Sequence, residues 1–133
     1  MILALRTDSM TATIALLSPA HSPAQIIKSR EWEAGRQLSV QLPAAIDELL
    51  KSAKSEYSDL TGIIVYEGPG SFTGLRIGIT IANAISHELN IPIVGTTGED
   101  WMDSGVDKLQ DAKPGTIVMP AYDGEANITK PKK

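Results

Sequence analysis

The sequence has no cysteine, which excludes disulfide bonds, thiolate metal ligands and a cysteine nucleophile. It also lacks any apolar run near the roughly 20 residues that a membrane-spanning helix needs, and residues 1–5 are strand-like rather than a basic leader. The 133 residues are 42% hydrophobic and 21% charged, as in one ordinary globular domain. We therefore predict a soluble cytoplasmic protein with no membrane association.

Clustered positive charge is scarce as well. The net charge is -4, whereas proteins that hold nucleic-acid backbones place clustered lysines and arginines on the phosphates. The single basic cluster consists of Lys130, Lys132 and Lys133 at the chain end, where chains usually fray. We predict that residues 130–133 form a solvated tail, with a contact to nucleic acid or to a partner as the alternative.

Apolar periodicity predicts one α/β domain over residues 1–129. The predicted strands cover residues 1–5, 11–17, 25–33, 62–66, 91–96, 116–122 and 125–128, with Asp123-Gly124 as the last hairpin turn. The two main predicted helices cover residues 38–53 and 74–89, and two shorter helical pieces lie within residues 97–113. Because residues 62–96 have the order of a βαβ unit, their strands should be parallel. They would extend an antiparallel three-strand meander into a mixed sheet.

The most informative segment is GPGSFTGLRIG, residues 68–78, between a predicted strand and a predicted helix. Glycines at such a turn let backbone N–H groups approach a phosphate at the helix N-terminus. The weak candidates for cofactor binding are therefore Gly68, Gly70, Ser71 and Thr73. The spacing differs by one residue from the dinucleotide fingerprint, and Pro69 removes a donor. No cofactor is predicted.

A serine hydrolase is a second interpretation of the same segment. The nucleophile elbow requires G-x-S-x-G, and here Pro69 and Thr73 stand where the glycines should be. The only candidate bases are His21 and His87, which we predict to be surface residues. A triad depends on geometry rather than on residue type, so this interpretation is not favoured.

The same eleven residues resemble the signature of the TsaB (YeaZ) family of tRNA threonylcarbamoyladenosine biosynthesis proteins. The resemblance covers residues 1–96, including ILAL at residues 2–5 and IPIVG at residues 91–95, with an echo at residues 121–123. It implies an actin-like (ribonuclease H-like) fold. It also implies a non-catalytic scaffold that binds the catalytic subunit TsaD and possibly the ATPase TsaE. Such a chain would pair with itself when alone and would meet tRNA only indirectly.

The second predicted helix has more apolar circumference than one sheet can cover, which favours an interface with another polypeptide. A small-residue stripe, spaced by four residues from Gly74 to Ser86, would allow close packing. Packing on the chain's own first helix is the alternative. The predicted partner-binding residues are Leu38, Leu42, Ala45, Leu49, Gly70, Ser71, Phe72, Thr73, Gly74, Leu75, Arg76, Gly78, Ala82 and Ile85. Ser71 or Thr73 is expected to cap the second helix.

Two features depart from the family. Arg6 stands where the first strand of actin-like proteins ends in an Asp that serves the phosphate site, and a cation cannot hold magnesium. The chain ends at Lys133, about half the family length, so the resemblance implies that the second lobe and its ATP cleft are missing. Both favour a non-catalytic protein. The alternatives are an actin-like ATP- or phosphate-binding enzyme fragment and a free-standing homodimer.

An acidic repeat lies in residues 97–113. Glu99, Asp103, Asp107 and Asp111 are spaced by four residues and would share one helical face. A basic partner or a divalent cation is possible there, but a solvated surface is the preferred interpretation, and no metal is predicted. Thr97 and Ser104 each precede an acid by three residues, the spacing of a capping box.

Overall fold

The computed structural model describes residues 1–19 and 23–120. The strands of this part are β1 (Ile2–Arg6), β2 (Thr11–Leu17), β3 (Ile26–Glu33), β4 (Gly62–Tyr66) and β5 (Ile93–Thr96). Its α-helices are α1 (Leu38–Ser52), α2 (Phe72–Leu89) and α3 (Trp101–Leu109). None of the helices in these two stretches is long and apolar enough to cross a bilayer.

The strands form one mixed sheet in the order β3-β2-β1-β4-β5. β1 pairs antiparallel with β2, and β2 pairs antiparallel with β3. β4 pairs parallel with both β1 and β5. A short turn can reverse the chain between β1 and β2, whereas the parallel return from β4 to β5 requires the crossover helix α2. The predicted mixed sheet, a meander extended by parallel strands, is confirmed.

Helices cover both faces of the sheet. All five residues of β4 are buried, and their side chains alternate between the two faces. α3 covers the face that carries Ile64 and Tyr66. Gly105 of α3 packs on Ile64, and the ring of Trp101 meets the ring of Tyr66 edge-on, with 6.3 Å between the ring centroids. α1 and α2 pack side by side on the opposite face. The carboxyl ends of β1 and β4 therefore lie beside the start of α2.

Several predicted boundaries shift. α2 begins two residues earlier than predicted, and β5 begins at Ile93. Pro43 lies inside α1, one turn beyond its first residue, Leu38. The two helical pieces predicted within residues 97–113 are wrong, since the structure has the single helix α3 there. Its buried residues Trp101 and Val106 anchor one face of that helix on the sheet.

The predicted capping boxes are also wrong. The N-cap of α3 is Asp100, which makes no side-chain capping hydrogen bond. Thr97 precedes this helix, and Ser104 lies within it, with its backbone N–H bonded to the Asp100 carbonyl oxygen at 2.9 Å. Gly98, with a φ of 82°, turns the chain between β5 and α3, which delays the helix start.

The strand predicted over residues 116–122 is wrong for residues 116–120, which have no strand structure. The backbone of Val118 instead pairs with the side chain of Asn83 on α2. The amide Nδ2 donates to the Val118 carbonyl oxygen and Oδ1 accepts from the Val118 N–H, both at 2.9 Å. The hairpin at Asp123-Gly124, the strand over residues 125–128, the family echo at residues 121–123, the domain end at residue 129 and the basic tail lie outside the described residues.

Candidate functional site

The glycine-rich segment connects β4 to α2 at the carboxyl edge of the parallel strands. Its backbone is fixed by the preceding strand and by the β1–β2 turn. The Tyr66 hydroxyl donates to the Pro69 carbonyl oxygen at 3.1 Å, and the Ser71 N–H donates to the Asp8 carbonyl oxygen at 2.8 Å. Gly68 has a φ of 126°, a conformation that favours glycine. The segment is therefore a packed connection rather than an open loop.

Three glycines of the segment face the end of β1. A Cβ atom on Gly70 would overlap the Cβ of Asp8, and one on Gly74 would overlap the backbone oxygen of Thr7. A Cβ on Gly78 would overlap the Thr7 hydroxyl. Gly74 and Gly78, four residues apart, lie on one side of α2, and Gly70 precedes the helix. The glycines thus allow α2 to approach the strand end closely.

The predicted N-terminal cap of α2 is only partly as expected. Ser71 is the N-cap residue of α2, but its side chain makes no capping hydrogen bond, and Thr73 lies in the first turn. The Ser71 carbonyl oxygen accepts the first helical hydrogen bond from the Leu75 N–H at 2.9 Å. The expectation of a Ser71 or Thr73 side-chain cap is therefore wrong, because the backbone contact with Asp8 orients the helix start instead.

The predicted partner-binding residues divide into three sets by burial. Seven are buried in the chain's own core: Leu38, Leu42, Ala45, Leu49, Leu75, Gly78 and Ala82. Five are exposed, Gly70, Ser71, Phe72, Thr73 and Arg76, while Gly74 and Ile85 are half-buried. The buried set cannot contact a partner in this conformation, because these residues form the faces by which α1 and α2 cover the sheet. Partner binding by the exposed set stays a prediction.

The apolar surplus expected on α2 is mostly covered within the chain. Ile77, Ile81, Ile85 and Leu89 are partly buried and pack against the core. The side-by-side packing of α1 and α2, the alternative considered from the sequence, contributes to this cover. Only part of the apolar side of α2 therefore remains open.

That open part is a groove of about 590 Å³ between α1 and α2. We call it the α1–α2 groove. Its lining residues are Ser39, Pro43, Phe72, Thr73, Arg76, Ile77, Thr80 and Ile81. Among them, Phe72 is 51% exposed. Exposed apolar surface in a groove is one mark of a protein-docking site.

A neighbouring cavity of about 730 Å³ shares Thr73 and Ile77 with the α1–α2 groove. Ser71, Thr73, Ser9 and Arg36 supply its polar lining, while Met10 adds an apolar wall. Of the weak cofactor candidates, Ser71 and Thr73 lie here, whereas Gly68 is buried and Gly70 packs on Asp8. This cavity is where the phosphate-binding alternative would place its ligand.

Arg6, the residue that departs from the family pattern, is held within the chain. Its Nε and Nη2 atoms donate to the two carboxylate oxygens of Asp8 at 2.8 and 3.2 Å. Its guanidinium lies 4.1 Å from the centre of the Tyr66 ring. The hydrogen bond with Asp8 raises the pKa of the Arg6 guanidinium above its ordinary value, so Arg6 stays charged. The sequence argument missed Asp8 and Tyr66, although Asp8 is only two residues away.

The other predicted polar candidates do not assemble into a site. Only Asp103 and Asp107 of the acidic repeat lie within α3, and Asp103 accepts a 2.6 Å hydrogen bond from the Ala24 N–H. Among the described residues no group of three or more histidine, cysteine or acidic side chains could hold a metal ion. His87 is exposed on α2, and His21 lies outside the described residues.

Comparison with known proteins gives consistent matches. A family model described as TsaD, tRNA N6-adenosine threonylcarbamoyltransferase, matches residues 26–123. The chain is 31% identical over 128 residues to the tRNA threonylcarbamoyladenosine biosynthesis protein TsaB of Bacillus subtilis (strain 168), covering 91% of this chain and 54% of that protein. It is 42% identical over 62 residues to the tRNA N6-adenosine threonylcarbamoyltransferase of the same strain, covering 47% of this chain and 18% of that protein.

A solved structure of YeaZ from Pseudomonas aeruginosa matches with a TM-score of 0.64 and 28% identity, covering 72% of this chain and 43% of that one. The chain thus spans about half the length of the Bacillus TsaB protein that it matches.

Proposed function

Because the chain belongs to the TsaD family, whose model matches most of its length, we propose that it acts in tRNA threonylcarbamoyladenosine biosynthesis as a non-catalytic binding subunit. The resemblance to the TsaB (YeaZ) family that residues 68–78 indicate is confirmed by the similarity to Bacillus TsaB and Pseudomonas YeaZ. The observation that carries the proposal is the α1–α2 groove, with the exposed side chain of Phe72 in its lining.

The proposed partner is a TsaD-type catalytic subunit, with a TsaE-type ATPase joining through it. A segment of this chain is similar to a TsaD-type protein itself, so such a subunit has a related segment. Related faces that pair about an approximate two-fold axis are a common arrangement in assemblies. The α1–α2 groove would then meet the corresponding helices of the partner, and tRNA would be contacted only by the assembled complex.

The contacts between the end of β1 and the start of α2 support a non-catalytic role. In the phosphate-binding alternative, glycines and N–H groups at the start of α2 would hold a ligand. Here Gly70 and Gly74 pack on β1 and its turn, and the Ser71 N–H is bonded to Asp8. Arg6 is engaged by Asp8 and Tyr66. These contacts favour a binding role over an enzyme fragment.

The test is co-purification of the tagged chain with the TsaD-type subunit of the same organism. Phe72→Glu places a charge in the lining of the groove without opening the core, and an acid is tolerated in the first turn of a helix, where Phe72 lies. We expect this variant to retain less than about a tenth of the captured partner, since burying an unpaired charge at an interface is costly.

Ile117→Glu is the matched control, because Ile117 is 68% exposed but does not line the groove. It should capture the partner as well as the unaltered chain does. Failure of the unaltered chain to capture a TsaD-type subunit would overturn the proposed function. Equal loss in both variants would overturn the assignment of the groove.

A further inference from the structure

A polar cavity of about 400 Å³ lies on the α3 side of the sheet, on the opposite face from the α1–α2 groove. We call it the Arg6 cavity. The end of β1, its turn, β2, β3 and the start of α3 supply its lining, which consists of Arg6, Asp8, Ser9, Thr11, Thr13, Glu31, Trp101 and Met102. The strand register explains this composition, because Arg6 pairs with Thr13 and Thr13 pairs with Glu31. Cross-strand partners lie on the same face of a sheet, and the volume is in the range of small-molecule sites.

One edge of the Arg6 guanidinium is unused. A guanidinium carries five N–H donors in one plane, and Asp8 occupies the edge formed by Nε and Nη2. Among residues 1–19 and 23–120, the other three N–H groups, on Nη1 and Nη2, donate to no acceptor. They form a second fork, which matches the two oxygens of a carboxylate. Asp8 and the Tyr66 ring hold the guanidinium in place, while the Arg6 side chain stays 30% exposed.

Glu99 is the other acid near this guanidinium. The raised pKa of Arg6 comes first from the hydrogen bond with Asp8, and the negative charge of Glu99 adds to it. However, Glu99 forms no ion pair with Arg6 in the described part of the chain. It is exposed and does not line the cavity. The second fork of Arg6 therefore stays open to a ligand.

Glu31 gives the cavity a negative charge that nothing in the lining neutralises. Its carboxylate accepts a hydrogen bond from the Thr13 hydroxyl at 3.3 Å, but in the two described stretches it belongs to no ion pair. Asp8 already neutralises Arg6, so Glu31 is the uncompensated group. This charge disfavours a phosphate, which adds about two negative charges. It favours an ammonium group on the same ligand as the carboxylate.

We propose that the Arg6 cavity binds a small zwitterion of the amino-acid class, with its carboxylate on the second fork of Arg6 and its ammonium group on Glu31. The Thr11 hydroxyl also faces the cavity and can hydrogen-bond either group. Trp101 and Met102 provide an apolar wall for a hydrocarbon side chain. The inference goes beyond the proposed function, because the α1–α2 groove plays no part in it.

The test is an NMR titration of the isotope-labelled chain with three probes that share one carbon skeleton. L-leucine carries both charges, 4-methylpentanoate carries only the carboxylate, and 3-methylbutylamine carries only the ammonium group. We expect leucine to shift the amide signals of Thr13 and Glu31 to saturation. Each single-charge probe should bind at least about tenfold more weakly, since it leaves one charge of the cavity unpaired. Inorganic phosphate should leave these signals unchanged.

Two variants test the assigned contacts. Arg6→Lys keeps the positive charge but has no fork, so leucine should bind at least about tenfold more weakly. Glu31→Gln removes the partner of the ammonium group and should weaken leucine by a similar factor. The same variant should bind 4-methylpentanoate at least as tightly as the unaltered chain does. The matched control is Glu88→Gln, an exposed change on α2 outside the cavity, which should leave leucine binding unchanged.

Circular dichroism verifies that each variant is folded, and if Arg6→Lys is not, the three probes and Glu31→Gln still decide the matter. The inference is overturned if leucine gives no saturable shift, if either single-charge probe or phosphate binds as tightly, or if Glu31→Gln binds leucine normally. Equal loss in Glu88→Gln would overturn it as well. Leucine binding and capture of a TsaD-type subunit are separate measurements, so failure of one leaves the other standing.

Discussion

The Thr7 hydroxyl donates a 2.7 Å hydrogen bond to the carbonyl oxygen of Gly74, linking the end of β1 to the first turn of α2. Thr7 is only 1% exposed, so its hydroxyl would be costly to bury without an acceptor. The missing Cβ of Gly74 leaves room for the Thr7 backbone oxygen, and that of Gly78 leaves room for the hydroxyl. The glycines of residues 68–78 therefore have a structural reason that requires no ligand.

The first prediction is that Gly74→Ala destabilises the chain. Alanine gains at most about 1 kcal/mol over glycine in a helix, whereas forcing a methyl group against a backbone oxygen costs about 1–3 kcal/mol and disturbs the Thr7 hydrogen bond. We expect the free energy of unfolding in urea to fall by about 1–2 kcal/mol.

Thr80→Ala serves as the control on the same helix, because Thr80 is exposed. Its unfolding free energy should change by less than about 0.5 kcal/mol. A Gly74→Ala chain as stable as the unaltered one would show that the close contact with Thr7 is unimportant.

The pattern of apolar residues predicts the five strands of the sheet and its two main helices. It marks which side of a helix is apolar but not what covers that side. Leu42 and Ala45 could therefore be assigned to a partner surface from the sequence, although α1 buries them on the sheet. The partner of Gly74 could not be predicted, because Thr7 is 67 residues away and no local pattern links the two.

Side-chain contacts with the backbone limited the prediction elsewhere. Residues 116–120 have the apolar character of a strand, but a strand forms only where the backbone of a neighbouring strand can pair with it through hydrogen bonds. Asn83 provides both hydrogen bonds for Val118 instead. A single amide on a helix gives no sequence signal for such a role.

The second prediction concerns this contact. Asn83→Ala removes both hydrogen bonds to Val118, each worth about 1 kcal/mol, and releases the segment from α2. We expect the Val118 amide to lose most of its protection from hydrogen exchange, while the amides of β4 keep theirs. His87→Ala, an exposed change on the same helix, should alter neither. Retained protection at Val118 in Asn83→Ala would mean that other contacts hold the segment.

The third prediction is a pH dependence. Burial raises the pKa of the Tyr57 hydroxyl above its ordinary value of 10.0, and the negative charge of Asp47 adds to this effect. The unfolded chain then loses this proton at a lower pH than the folded chain. Folding stability from this group is fully present below pH 10 and declines as pH rises through the higher folded pKa.

Ultraviolet titration of the unaltered chain minus that of Tyr57→Phe should therefore show a transition with a midpoint above 10. The stability of Tyr57→Phe should fall less steeply over the same alkaline range. A difference midpoint at or below 10 would contradict the burial of this hydroxyl.

The last prediction addresses the phosphate-binding alternative by adding ligand. A nucleotide that bound only the folded chain at 100 times its dissociation constant would add about 2.7 kcal/mol of stability, or a rise of several degrees in Tm. We expect no such rise with ATP and magnesium, because Arg6 cannot coordinate the metal ion and the glycines near Ser71 are packed on β1. Thermal unfolding of Arg6→Ala with ATP and magnesium tests whether Arg6, held by Asp8, is by itself what prevents nucleotide binding. A concentration-dependent rise in the unaltered chain that Thr73→Ala abolishes would favour the enzyme fragment, since Thr73 lines the adjacent cavity.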